Sequence, residues 1–440
     1  MTAHAQRMPE RRGVCPGLAA PMQTGDGLLA RFAPAGTMTL AAFKHFCAAA
    51  RTHGNGIVEV SARGSIQVRG LSAVSARPFA AAIAALEIAA DDTVPILCNP
   101  LAGIAAEEIF DVTPLARELR RTLAKRSAAL KLNAKISVAI DGGARLNLAR
   151  VPADIRLTAE AANGGTQLRV AVGGDDARAV PLGSVAPEHG VEAACRLLGV
   201  LARRGRHARA HDIVAAGGVA VFRSALSSLP ALLHAPAFTD GDGDTQDRGK
   251  SHRDGQPIAL HRLRDGSFAY GLGLASGYAD AGALERLADA AATAGARGLR
   301  AAPSRTLLTI GLSKQRAPGF VTAAKQLGFV TRADDPRLHV LACAGAPLCA
   351  SAYIAARAMA PAVAAAAAPH LTGDVAVHIS GCAKGCAHPA AATLTVVGTA
   401  GDCALVANGS ARDAPFAAAP ANELPAAIER YLREREAANV

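Results

Sequence analysis

The chain has no tryptophan and four tyrosines in 440 residues, and aromatics make up 3%. A groove that stacks the bases of a nucleic acid has little to be built from. Charged residues are 19% and apolar ones 50%, which excludes a disordered protein and leaves ample material for a large core. Long hydrophobic runs are missing as well. The most apolar stretch, 360–369, is short, alanine-based and broken by Pro361 and Pro369, well below the roughly 20 residues of a membrane span. Residues 1–12 are polar and basic with no apolar segment behind them, so no secretory signal is read there. Nine cysteines, an odd count, argue against a disulfide framework and for a reducing compartment. The expectation is a cytoplasmic protein with no membrane and no nucleic-acid partner.

What is present is basic. Lysine and arginine give a net charge of +11, which favours an anionic partner such as a polyanionic small molecule. The length suggests about three domains or a duplicated pair. A stretch dense in glycine and charge, 239–256, reads as a flexible linker and divides the chain almost in half. The halves resemble each other at an offset near 241, which puts Gly70-Leu71 on Gly311-Leu312. In each half a helical stretch (39–52, 280–294) precedes a strand-like one (59–71, 299–312). Further helices are expected at 76–88, 114–124, 191–204, 319–327, 350–363 and 422–435. Strands are expected at 134–140, 167–172, 219–222, 305–311, 375–380 and 392–397. The reading is two copies of one α+β unit, related by a pseudo-two-fold.

Four cysteines fall in one C-terminal stretch, as C-x5-C at Cys343 and Cys349 and C-x3-C at Cys382 and Cys386. Four converging thiolates suit an iron–sulfur cluster or tetrahedral zinc. The first spacing is too wide for a zinc knuckle, and the glycine-flanked HISGCAKGCAHP loop lets backbone approach a bulky inorganic core; inert buried cysteines are the plain alternative. Cys47 and Cys195 sit on apolar helix faces and read as core, and Cys98 falls where the second copy has Cys343. Cys15 has no assigned role.

The stretch 59–69 alternates. Glu59, Ser61, Arg63, Ser65, Gln67 and Arg69 share one face and apolar residues the other. The polar face is either a solvated sheet surface or a wall that binds carboxylate or phosphate, for which the arginine fork is suited. A break at Gly64 would turn Arg63 into a loop residue aimed into a cleft. The matching stretch of the second half keeps Arg300 and Arg305 but no polar stripe, so one site built where the copies meet is expected. No strand-to-helix G-x-G-x-x-G occurs; Gly271, Gly273 and Gly277 read as a turn.

The cysteine pattern, the Cys98-Asn99-Pro100 turn and the half-to-half repeat resemble the sulfite and nitrite reductase superfamily, whose members hold a [4Fe–4S] cluster beside a sirohaem-type tetrapyrrole. Within it, CPGL with M-x-TGDGLL (Cys15–Leu18, Met22–Leu29), CAGAPLCASA (343–352) and HISGCAKGCAHP (378–389) are similar to the branch of precorrin-3B synthases. The resemblance implies a duplicated α+β fold. Its parts would be an N-terminal extension (1–26), ferredoxin-like half-domains (27–95, 257–335), a tetrapyrrole-binding α/β domain (96–238) and a [4Fe–4S]-binding domain (336–440). It implies that Cys343, Cys349, Cys382 and Cys386 ligate the cluster, with Cys386 nearest the tetrapyrrole. Arg63 and Arg69 would meet tetrapyrrole carboxylates or the oxygen ligand. Asn99 would lie near the same pocket, and Lys135 would keep the first of two reductase lysines. Ser137 replaces the second, and Ala383-Lys384 replaces the reductases' Pro-Asn, which speaks against reduction of a small oxyanion by a sirohaem enzyme.

The activity so implied is O2-dependent hydroxylation of precorrin-3A at C20 with γ-lactone formation, in aerobic cobalamin biosynthesis. It calls for an external reductant, NADH or a ferredoxin-like donor protein, and for a mononuclear non-haem iron near which His378 and His388 are the candidate imidazoles. Lys384 would offset cluster charge or meet a substrate carboxylate, or remain a solvated loop lysine.

Overall fold

The computed structural model describes residues 16–34, 36–88, 94–126, 130–162, 165–229, 255–373 and 375–438. Cys15 and nearly all of the expected linker 239–256 lie outside the described residues. Four five-stranded sheets form two pairs. The first half-domain sheet takes Met22–Thr24, Gly27–Phe32, Ile66–Leu71 and Ile57–Val60 in spatial order, then Tyr278–Asp280 from the other half. Its counterpart takes Leu260–Arg262, Phe268–Gly273, Thr306–Leu312 and Gly298–Ala302, then Met38–Thr39 from the first half. Each copy thus lends the strand before its first helix to the other's sheet. The exchange makes the two half-domains one body. Helices Leu40–His53, Ala76–Ala85, Ala281–Thr293 and Ala317–Gln326 cover both sheets with one core around Phe43, Phe46, Phe79, Leu284, Leu287 and Phe320. Strand Met22–Thr24 falls within the stretch expected as an extension, because it hairpins onto Gly27–Leu29.

The repeat offset is visible element by element: Ala76–Ala85 and Ala317–Gln326 are 241 residues apart. At the equivalent glycines Gly70 and Gly311, φ is +72° and +94°, a region glycine enters freely.

The remaining two sheets share one order. Three parallel strands, Ile96–Cys98, Val138–Asp141 and the start of Ala153–Ala162, continue into antiparallel Gly165–Gly174 and Val180–Val185. The second copy repeats this with Val340–Ala342, Val377–Ser380, Ala392–Gly398, Cys403–Gly409 and Ala417–Ala419. Each has its own core under two longer helices, Thr113–Arg126 with Gly190–Arg203 and Ala356–Ala367 with Leu424–Ala438.

Two local expectations fail for physical reasons. Residues 219–222, read as a strand, begin the helix Val219–Leu226, whose Phe222 and Leu226 lie one turn apart and are buried together; a short apolar run does not distinguish the two states. The helix expected from 350 starts at Ala356. The preceding loop is held elsewhere, the Ala350 amide by Gly25 and the Tyr353 amide by Gly381.

Candidate metal centre

The two parallel strands of the second copy deliver the cysteines. Cys343 follows Val340–Ala342 directly, and its amide donates to the Ile379 carbonyl. Strand Val377–Ser380 beside it runs into Gly381 and Cys382. The Gly381 N–H donates to Cys343 Sγ at 3.1 Å. Cys349 is folded back by its amide bond to the Gly345 carbonyl, with Gly345 at φ +67°. Cys386 follows Gly385, at φ +64°, and is the exposed member of the quartet.

The thiols sense one another. Burial pushes the Cys343 thiol up, the Gly381 and Gly345 amides pull it back, and Cys349 and Cys382 add to the rise. Cys386 is raised by burial and by Cys343, Cys382 and Cys349, and lowered by the Arg69 guanidinium. Close packing leaves no room for extra atoms. A Cβ on Gly25 would lie 2.3 Å from Cys349 Sγ, and one on Gly381 would lie 2.7 Å from the Ala352 Cβ. Among the described residues no three His, Cys, Asp or Glu side chains close to single-ion spacing. Thiols close enough to influence one another, an N–H···S bond and glycine-thin walls are a donor set that an iron–sulfur cluster takes.

The polar stripe meets this quartet. A hairpin break at Gly64 (φ +80°) divides the stretch into Ile57–Val60 and Ile66–Leu71. The cross-strand row is Arg31, Gln67, Glu59 and Tyr278. It is not a solvated face: Gln67 is 8% exposed and the Arg69 side chain 11%. Arg69 donates to both Asp26 oxygens at 2.8 and 3.0 Å, and its guanidinium lies 3.5 Å from Glu59. Asp26, with a side chain 2% exposed, would be raised by burial, yet Arg69 and Thr24 hold it below the ordinary carboxylate value. Arg357 of the second copy donates to the other Glu59 oxygen and stacks on the Tyr278 ring at 4.0 Å.

The remaining expected residues are distributed unevenly. Arg63 sits in the turn, bridged to Pro303 of the other copy, with its guanidinium 3.5 Å from the Ser137 hydroxyl. Ser137 is fully buried and Lys135 exposed. Lys384 is exposed and donates to the Ser351 hydroxyl at 3.0 Å.

Asn99 requires a correction. It is 1% exposed, donates to Glu108 and accepts from the Gly142 amide at 2.9 Å, so its side-chain amide is engaged within the first copy. Strand pairing corrects Cys98 too. Cys98 opposes Ile140 as Ala342 opposes Ile379, so the counterpart of Cys343 is Asn99.

The His378 and His388 rings pack edge to face at 5.8 Å. They form a pair, and among the described residues no third His, Cys, Asp or Glu joins them at single-ion spacing. Two open surface clefts, one along Thr113–Arg126 and Gly190–Arg203 and one around 311–316, border none of the four cysteines.

Sequence reasoning gave the turn 24–27 no role, although Gly25 packs on Cys349 and Asp26 holds Arg69. Its signal was the TGDG run, a tight turn with a charge in it.

A precorrin-3B synthase of a Sinorhizobium species is 38% identical over 424 residues, 96% of this chain and 88% of its own. The chain belongs to the precorrin-3B synthase family. It is an oxidoreductase built on the nitrite and sulfite reductase fold. The nitrite/sulfite reductase ferredoxin-like half domain matches residues 20–86, and the nitrite and sulphite reductase 4Fe-4S domain matches 89–230. The latter match falls on the first copy, whereas the clustered thiols are in the second copy of the same topology; it supports an iron–sulfur cluster for the chain as a whole. The structure of Mycobacterium tuberculosis NirA protein shares the fold, with a TM-score of 0.70 at 20% identity over 92% of this chain and 80% of that one. No helix among the described residues is long and apolar enough to cross a membrane.

Proposed function

We propose that the chain hydroxylates precorrin-3A at C20 with one atom of O2 and closes the ring A acetate as a γ-lactone, taking electrons from NADH or a ferredoxin-like donor protein. The observation that carries this reading is the shielded polar face on which Asp26 and Glu59 hold Arg69 and Arg357, with the adjoining turn packed on Cys349. A tetrapyrrole bearing many carboxylates needs charged partners when it leaves water. Arg63, Arg69 and Arg357 supply them from both copies, with Asp26 and Glu59 fixing the geometry of the last two. Lys384, on the exposed side of the loop between Cys382 and Cys386, is placed for a carboxylate at the rim. An iron–sulfur cluster held by Cys343, Cys349, Cys382 and Cys386 supplies electrons for O2 activation when bound.

Ser137 favours this reading over a sirohaem-dependent reductase. The position is buried and small, and Arg63 approaches it, so a guanidinium stands where the reductases place a second lysine. The deciding experiment is turnover of precorrin-3A by anaerobically purified protein under labelled O2. One labelled oxygen in the product is expected. Unlabelled product, or reduction of sulfite or nitrite with sirohaem-like absorption bands, would overturn the reading.

A further inference from the structure

The two hairpin turns where the copies touch are equivalent, yet where the first has a glycine in the left-handed region the second has an arginine, preceded there by Ser304 at φ +61°. Gly64 sits in the first at φ +80°; 241 residues on, Arg305 sits in the second at φ +59°. A left-handed conformation costs little for glycine and is strained for a side-chain-bearing residue. Such outliers persist where the surroundings impose them, often at ligand clamps.

The surroundings of Arg305 are built for its side chain. The stem runs across Gly277, where a Cβ would lie 2.6 Å from Arg305 Cδ. Gly277 is itself at φ +81°, next to Ser276 at +53°, whose hydroxyl ties the loop to the Val340 carbonyl at 2.9 Å. The Arg305 stem thus lies on a glycine in the turn just before Tyr278, which pairs with Glu59 in the polar row, and that turn is tied to the strand Val340–Ala342 that leads to Cys343. The Arg305 guanidinium has no hydrogen bond or ion pair among the described residues. Its nearest acid is Glu59, which Arg69 and Arg357 already share. Burial lowers its proton affinity, and Glu59 restores only part of it. Its charge also opposes protonation of His378, whose ring packs on that of His388.

We infer that Arg305 is a substrate-binding residue that clamps one carboxylate of the tetrapyrrole from the second copy, opposite Arg69. This rests on the proposed reading of a polycarboxylate tetrapyrrole as substrate. A half-buried fork with five donors and no acceptor calls for an anion that arrives from outside. The strain and the contact with Gly277 keep it extended until then.

The test is anaerobic titration of the cluster-loaded full chain with precorrin-3A, followed by absorbance, for wild type, Arg305→Gly and Arg305→Lys. Arg305→Gly removes the clamp together with the backbone strain. Its Kd is expected to rise about tenfold or more, with a shallower dependence on salt, while iron content holds and the melting temperature stays level or rises. Arg305→Lys is expected to fall between, keeping charge and losing the fork. Unchanged affinity in Arg305→Gly would overturn the inference. So would weaker binding accompanied by loss of iron or of melting temperature, which marks a structural arginine. A wild type that does not bind precorrin-3A would instead remove the functional reading beneath it.

Discussion

Two equivalent loops of this molecule, one in each copy, have reached opposite ends. In the second, the Gly381 amide donates to Cys343 Sγ. In the first, the Gly142 amide donates to Asn99 Oδ1, and Glu108, buried against Gly142, Gly103 and Asn99, fills the space. The sheet faces above them differ in the same sense. Glu59, Gln67 and Arg69 correspond to Arg300, Leu308 and Ile310. Leu308 and Ile310 join Leu101, Ala105, Ala144 and Leu146 in an apolar seam, and Arg300 bonds the Pro100 and Ala102 carbonyls. At one junction the first copy's loop, sealed by a carboxylate, packs on the apolar sheet face of the second. At the other, the second copy keeps the thiols and the first keeps the guanidinium-bearing face. Duplication supplied two identical hollows, and stability needed one of them closed.

The largest effect should follow from making the second loop like the first. Cys343→Asn keeps an acceptor for the Gly381 amide, so the fold should survive, yet it removes one thiolate in four. Iron and acid-labile sulfide counts are expected to collapse, and turnover with them. Cys98→Ser and Cys195→Ser should leave both counts unchanged. Retention of a full cluster in Cys343→Asn would mean the quartet is not the ligand set.

Next comes a methyl group at the edge of that loop. Gly25→Ala places a Cβ at 2.3 Å from Cys349 Sγ, with the Gly25 carbonyl already bound to the Ala350 amide. Either the turn or the thiol must move. Iron per chain is expected to fall by half or more while the melting temperature changes little, since the turn is at the sheet edge. Normal iron content would show the turn to be a bystander.

Exchanging the sheet faces sharpens the contrast. Ile310→Arg buries an unpaired charge in the seam and should cost about 4 kcal/mol or more, read as a lower urea midpoint. Arg69→Ile strands Asp26, at about 3 kcal/mol. Adding Asp26→Asn should recover much of that, because the uncompensated charge is gone. If the single and double variants unfold alike, the Asp26–Arg69 pair contributes nothing through its charge.

How legible was this in the sequence? The duplication, the helices 76–88 and 191–204, the break at Gly64 and the grouping of the four cysteines follow from periodicity and spacing, which are local signals. What stayed hidden is relational. The exchange of Met38–Thr39 and Tyr278–Asp280 depends on pairing between halves, and three-residue strands carry almost no pattern. Asn99 looked like a pocket residue because its loop is the twin of a ligand loop; that Glu108, nine residues on, closes it is a fact of packing. The stripe of Arg63 and Arg69 was readable, but whether water or protein covered it was not. Arg357, on an alanine-rich helix, gave no sign that it would reach across to Glu59.

The smallest expected effect concerns the strand between the two cysteine pairs. Val138–Asp141 and Val377–Ser380 are equivalent central strands, and the first carries Ala139 where the second carries His378. Ala139 packs with Leu148, Val151 and Ala153. His378 is fully buried, and neither ring nitrogen has a partner among the described residues. Burial first, then His388 and Arg305, push it down to about 4 from an ordinary 6.5. The folded protein therefore binds fewer protons than the unfolded chain between those values. Stability is complete above pH 6.5 and is lost as pH falls towards 4, by about 3 kcal/mol at most, since each pKa unit is worth about 1.36 kcal/mol. His378→Ala gives the second strand the first strand's residue. It should lower stability at pH 7.5 through the cavity it leaves and flatten the acid limb, so the two proteins converge near pH 4.5. Urea midpoints across that range measure it, and parallel curves would mean that His378 takes up its proton at the same pH in the folded chain as in the unfolded one.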